Sequence, residues 1–299
     1  MRNLCLVTAL AALAPLGLTA QIASLERELQ ARIQQDTAEV AVAYLDPVTR
    51  DTLFINGLRR YHAASTMKLP VLIELARRVD MGELRWDSPL TVHNEFQSIV
   101  DGSSYRLDPA DDADSSLYDE EGHSIALSRL ARLMIARSSN LATNLVVDRL
   151  GAARINATAH ALGADSISVL RGVEDGKAFA AGLNNTTTAR DLALLLDAIA
   201  GRRAASPAQC DVMVGDLLAQ EFNDGIPAGL PAGTRVAHKT GDITAVAHDA
   251  AIVYPTGRRP YVLVILTRGY GERANAARLM ADLSRLVYNW ATRRPDPHE

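Results

Sequence analysis

The order of strand-like and helix-like segments predicts an α/β fold of the α+β type, in which a discontinuous sheet domain carries an inserted helical one. Two strand-like runs stand near the start of the chain, three stand near its end, and the segments between read as helices. The size permits such a plan: 299 residues, 48% of them hydrophobic, can build about two domains or one large α/β unit.

From the N-terminus, residues 1–20 read as a secretory signal. Arg2 starts it, residues 4–18 are almost wholly apolar or small, and Ala20 offers a cleavage point before Gln21. The run is too short and too rich in Ala and Gly for a stable membrane span, so an exported protein, periplasmic or secreted, is expected. Residues 21–37 carry Ile22, Leu25, Leu29 and Ile33 at helical spacing, a surface helix over a core. Val40 to Leu45 is strand-like, Asp46-Pro47 turns, and Thr52 to Ile55 returns as the second arm of a hairpin. Helices are expected at 68–79, 124–137, 141–150, 152–162, 186–200 and 207–220. Strands resume at 235–239, 247–254 and 261–267, the last two divided by Pro255-Thr256-Gly257. A final helix, 273–290, presents Ala276, Leu279, Leu283, Leu286 and Val287 as a stripe able to cover the sheet. These limits give an α/β domain of 21–62 and 225–299, an all-helical domain of 63–224, and an active site between them.

The formal net charge of −4, with no dominant block of either sign, argues against nucleic acid as a partner. A small-molecule substrate and a monomer are expected. Residues 108–121 hold Asp108, Asp111, Asp112, Asp114, Asp119, Glu120 and Glu121 without one basic residue. They lack the Gly turn and ligand spacing of a calcium loop and read as a solvated acidic loop. None of the seven histidines stands close to a carboxylate or cysteine at metal-binding spacing, so neither metal nor cofactor is expected. His238 reads as a surface strand residue. Cys5 leaves with the signal, and Cys210, a small buried hydrophobe on a helix, has no disulfide partner.

Three short motifs carry chemistry. Ser65-Thr66-Met67-Lys68 is an S-x-x-K at a helix start, which sets a hydroxyl and an amine one turn apart on one face. A serine needs a partner to take its proton, and a lysine held neutral by desolvation can do so. Ser138-Ser139-Asn140 sits at a helix junction, where Ser138 can pass a proton and Asn140 can hold a substrate amide. Such residues also cap helices. Lys239-Thr240-Gly241 ends a strand; the lysine and threonine can grip a carboxylate, and the glycine admits a close approach at the strand edge. Singly, the first two occur at about the chance level.

In this order and these settings the motifs resemble those of the class A β-lactamases and related penicillin-binding serine peptidases. The resemblance implies a β-lactamase/transpeptidase-like fold: a five-stranded antiparallel sheet with covering N- and C-terminal helices and an inserted helical domain. It implies that Ser65 is the nucleophile, Lys68 its proton partner and Ser138 the relay to the departing nitrogen. Lys239, Thr240 and Gly241 would form the substrate-carboxylate site, and Asn140 would bind substrate. The N–H groups of Ser65 and Asp242 would make an oxyanion hole, each supplying about 3 kcal/mol. The hydroxyl at 65 is expected to touch the amine at 68 and face the strand bearing 239. Asn144 also matches an asparagine of class A enzymes.

Three positions depart from that pattern. Ser139 replaces the middle aspartate of S-D-N. Glu174 can stand for the glutamate that activates water, but its fourth neighbour is Ala178 instead of asparagine, which suggests slow deacylation; Glu174 and Asp175 could instead pair with Arg171 or Lys177. Asp242 follows K-T-G and would repel a substrate carboxylate unless it turns away or finds a cation, for which Arg268 is the candidate. The leading expectation is β-lactam hydrolysis. The others are a peptidoglycan D-Ala-D-Ala peptidase or esterase with slow deacylation, and a binding module without turnover.

Overall fold

The computed structural model describes residues 14–293. Five strands form one antiparallel sheet: β1 (Glu39–Leu45), β2 (Thr52–Ile55), β3 (Arg235–Ile243), β4 (Val246–Tyr254) and β5 (Tyr261–Arg268). Their spatial order is β2-β1-β5-β4-β3, so the first strand of the chain pairs with the last. Val42 lies opposite Ile265, and Ala250 lies between Val264 and Lys239. β1, β4 and β5 are covered on both faces, which is why they read as continuous apolar runs.

The helices are α1 (Ala14–Ile33), α2 (Lys68–Asp80), α3 (Leu127–Ala136), α4 (Asn140–Leu150), α5 (Ala152–Ala161), α6 (Gly176–Ala180), α7 (Ala189–Ala200), α8 (Pro207–Leu217) and α9 (Arg273–Arg293). On one face of the sheet, Leu25 and Leu29 of α1 and Leu279 and Leu283 of α9 pack with Val42, Leu263 and Ile265. On the other, Leu192 and Leu196 of α7 join Ala43, Val264 and Ile252 in a core that continues through α2, α3, α4 and α8. The sheet and covering helices expected from the sequence are therefore present, with the stripe on α9 turned inward as its spacing requires.

Several boundaries differ. Ser124–Ala126 is not helical but pairs with Pro89–Thr91, and α3 begins only at Leu127. Thr186–Thr187 pairs with Tyr61–His62, and α7 starts beyond Thr188, whose side chain accepts from Asp191 N. Successive β-branched threonines favour extended backbone, and the third serves as cap. A third ribbon joins Phe96–Gln97 to Ser104–Tyr105, so the segment 63–224 is mainly, not wholly, helical. β3 continues past Lys239 to Ile243 because β4 pairs with it to the hairpin end. Residues 1–13 of the expected signal lie outside the described residues, and α1 runs through the expected cleavage point at Ala20. Among the described residues no helix is long and apolar enough to cross a membrane.

Candidate active site

Ser65 lies on a short 3-10 turn, Ala64–Met67, that runs straight into α2. The turn leaves Ala64 at a φ of 45°, and Thr66 Oγ1 pins it by donating to Ala63 O at 2.6 Å. Residues three apart eclipse in such a turn, so Ser65 and Lys68 share one side. Ser65 lines a cleft of ≈ 420 Å³ together with Ser138, Asn140, Thr240, Gly241 and Asp242. All three motifs therefore meet in one cavity.

Lys68 is fully buried. Its Nζ donates to Ser138 O at 2.5 Å, Asn140 Oδ1 at 2.9 Å and Ser138 Oγ at 3.2 Å. The direct touch expected between Lys68 and Ser65 is replaced by these bonds to the α3–α4 junction, because Ser138 and Asn140 offer the buried amine its acceptors. Burial drives the Lys68 pKa down to about 7, against the opposing pull of Asp112 and Glu174. Lys239 is also fully buried, and its Nζ donates to Ser138 Oγ at 3.1 Å and to Thr240 O at 2.8 Å. Burial lowers its pKa well below the usual value; Lys68 adds to that and Asp249 opposes it. Ser138 Oγ thus stands between two amines. Its backbone is left-handed, with a φ of 59°, while the buried Ser139 caps α4 by accepting from Ala142 N. The capping reading of this segment therefore holds for Ser139, while Ser138 and Asn140 turn their side chains to the buried Lys68 amine.

Gly241 brings β3 against the nucleophile. A Cβ there would lie 3.0 Å from Thr66 N and 3.1 Å from Ser65 N. The glycine therefore serves the approach of two parts of the chain to each other.

Glu174 sits at a φ of 62° on the loop before α6 and accepts from Asn140 Nδ2 at 2.5 Å. Asn140 thus bridges Lys68 and Glu174. Asn144 holds the loop: Val173 N donates to its Oδ1 at 2.6 Å, and its Nδ2 donates to Val173 O at 3.0 Å. Burial raises the Glu174 pKa, opposed by the Asn140 hydrogen bond. The expected alternative pairing of Glu174 and Asp175 with Arg171 or Lys177 does not form as ion pairs within hydrogen-bonding distance. Asp175 instead caps α6 and accepts from Ser98 Oγ at 2.9 Å, and Lys177 pairs with Asp101 at 2.7 Å. Ala178 is fully buried and offers nothing to a water.

Asp242 does find a cation, but a different one. Arg268 pairs with Glu39 at 2.8 Å, between the ends of two neighbouring inner strands, because β1 and β5 set Glu39 opposite it. Arg273, the first residue of α9, binds Asp242 through Nε and Asp224 through both terminal nitrogens. Burial raises the Asp242 pKa and Arg273 opposes the rise. His238 is not on the surface: it is 1% exposed, with Nδ1 2.9 Å from Asp249 Oδ1, because a neighbouring loop covers that side of β3. The acidic loop is likewise not simply solvated. Asp114 is buried, and Asp112 accepts from the backbone N–H groups of Asn140 and Leu141 at 2.9 Å each. Arg273 and Asp224 carry no sequence signal for these contacts beyond their charge, and Asp112 reads in the sequence only as one member of the acidic loop.

Comparison with known proteins gives a consistent result. A model of the beta-lactamase enzyme family matches residues 24–291. Beta-lactamase Toho-2 of Escherichia coli is similar, 24% identical over 278 residues that cover 90% of this chain and 90% of the relative. Among solved structures, PBP-A superposes with a TM-score of 0.77 at 28% identity, covering 91% of this chain and 97% of that one. The beta-lactamase of Sphaerobacter thermophilus gives 0.75 at 26% identity, over 93% of this chain and 99% of that one.

Proposed function

The chain belongs to the beta-lactamase enzyme family, and from that premise we propose that it is an exported serine hydrolase that opens β-lactams through an acyl-enzyme at Ser65. One observation carries the reading: Ser65 lines the cleft with Ser138, whose hydroxyl lies 3.2 Å from one buried amine and 3.1 Å from another.

Lys68, brought by burial to a pKa of about 7, is neutral in a large share of molecules near neutrality, and its Nζ turns from the Ser138 acceptors to the hydroxyl on the same side of the turn to accept the Ser65 proton. Ser65 Oγ then bonds to the lactam carbonyl carbon, with the Ser65 and Asp242 N–H groups receiving the oxyanion charge. The ring C–N bond breaks, and the nitrogen takes its proton from Ser138, which is resupplied through Lys68. Lys239 and Thr240 hold the substrate carboxylate, with Gly241 keeping the strand close, and Asn140 binds the substrate amide. In the second half, Glu174 takes a proton from water, the water oxygen bonds to the ester carbon, and Ser65 is released with its proton restored.

A second reading, a penicillin-binding peptidase or esterase whose adduct turns over slowly, is favoured by the buried methyl of Ala178 four residues beyond Glu174. PBP-A itself is known in a variant as an acyl-enzyme complex with penicillin G. Mixing the protein with a chromogenic cephalosporin, and following Ser65 by intact mass, decides between them. Catalytic turnover supports hydrolysis, a stable stoichiometric adduct supports the slow reading, and neither turnover nor adduct rejects both. Ser65→Ala is expected to lose turnover and adduct together.

A further inference from the structure

The acidic loop before the α3–α4 junction has a use beyond solvation. Its residues Asp111 and Ala113 line the cleft, whereas Asp112 between them turns toward the N-terminus of α4. There its carboxylate accepts from Asn140 N and Leu141 N at 2.9 Å each, and from the Tyr118 hydroxyl at 3.0 Å. The residue it grips is the one whose side chain reaches both Lys68 and Glu174. We propose that Asp112 is a positioning residue of this reaction, which seats Asn140 between the general base and the hydrolytic carboxylate and supplies the negative charge that keeps the two in balance. The proposal deepens the acyl-enzyme reading and rests on it for the role of Lys68.

The charges around these groups fix the direction of the effect. Lys68 is faced by Lys239 from β3, by Glu174 from the loop before α6 and by Asp112. Asp112 is faced by Glu174 and by Tyr118, with Asp108 and Asp111 on its own loop. Asp112 and Glu174 are the groups that favour the Lys68 ammonium, and Asp112 also disfavours ionisation of Glu174. Removing the charge at 112 therefore makes Lys68 give up its proton at lower pH and lets Glu174 ionise at lower pH. A loop that merely braced the fold would change stability and leave both titrations where they were.

The composition makes the test direct, because the chain holds only three lysines: Lys68, Lys177 and Lys239. Protein carrying isotope-labelled lysine gives few enough side-chain signals to titrate each by NMR, with Lys68→Arg identifying the one that matters. In Asp112→Asn, which keeps an acceptor and loses the charge, the Lys68 midpoint is expected to fall by about half a pH unit or more. The acid limb of Ser65 acylation by penicillin is expected to follow it, and Asp112→Glu, which keeps the charge, is expected to return the midpoint toward its original place. Asp112→Ser, which also keeps an acceptor and loses the charge, repeats the measurement should the asparagine variant not fold. A Lys68 midpoint identical with and without the charge overturns the proposal. A midpoint that moves in a protein that never acylates Ser65 would instead sink the acyl-enzyme reading and leave the coupling standing.

Discussion

Asp242 and Asp224 share the Arg273 guanidinium, so the cation nearest the mouth of the cleft is already satisfied. On the proposed reading, a substrate carboxylate drawn to Lys239 and Thr240 passes Asp242, which lines the same cleft. Asp242→Ser is expected to raise the second-order rate of Ser65 acylation about five- to tenfold, with the gain shrinking at high salt. A rate unmoved by the substitution would show that Arg273 already hides the charge. The choice of base matters at the same scale. Arginine stays protonated in proteins whereas lysine loses its proton on burial, and two of the three lysines stand buried beside Ser138. The three motifs were legible because each is contiguous. Arg273 was not, since nothing in its own neighbourhood marks it as the partner of residues on two other segments. Nor did any pattern announce that Asp112 would bond to Asn140 rather than to water.

At the scale of elements, β3 and the turn before α2 are set by one missing side chain. Gly241→Ala would place a methyl 3.0 Å from Thr66 N, and the strand must move back or the turn must shift. Turnover is expected to fall at least tenfold, with a modest loss of thermal stability, measured by steady-state kinetics and Tm on the same preparation. Full activity in the alanine variant would refute this account of the glycine. The strands of the main sheet were legible because both faces are buried and their apolar runs are long. The short ribbons were not. Ser124–Ala126 continues a helical pattern into α3, and only pairing with Pro89–Thr91 draws it out. Thr186–Thr187 held a hint in its β-branched run that the apolar periodicity of α7 concealed.

For the molecule as a whole, His248 ties the sheet to the site. It is buried in β4, accepts at Nδ1 from Thr267 N, and donates from Nε2 to His62 O at 2.9 Å, in the ribbon just before Ser65. Burial lowers its pKa from 6.5 to about 4. The unfolded chain therefore binds a proton that the folded chain refuses between those values. The stability this gives is whole above the unfolded pKa and is lost as pH falls toward the folded one, on the order of 3 kcal/mol in all. Compared with His248→Gln, the wild type is expected to show the steeper fall in unfolding free energy between pH 6.5 and 4.5. The comparison removes the effect of carboxylates such as Asp216, whose pKa burial raises to about 6 and which act in the opposite sense. Parallel curves would mean that His248 is hydrated or already charged. That the two ends of the chain close one sheet was legible from the strand runs. Which histidine lies at its heart was not, because burial of a polar residue depends on what packs over it.

Ala64, Ser138 and Glu174 all carry side chains in left-handed backbone, with φ values of 45°, 59° and 62°, and all three belong to or adjoin the proposed site. Each costs folding on the order of 1 kcal/mol that glycine would largely avoid. Selection of this chain for heat tolerance alone would therefore drift toward glycine at these places and blunt the very geometry that works. A laboratory evolving it should reward endurance and turnover in the same screen.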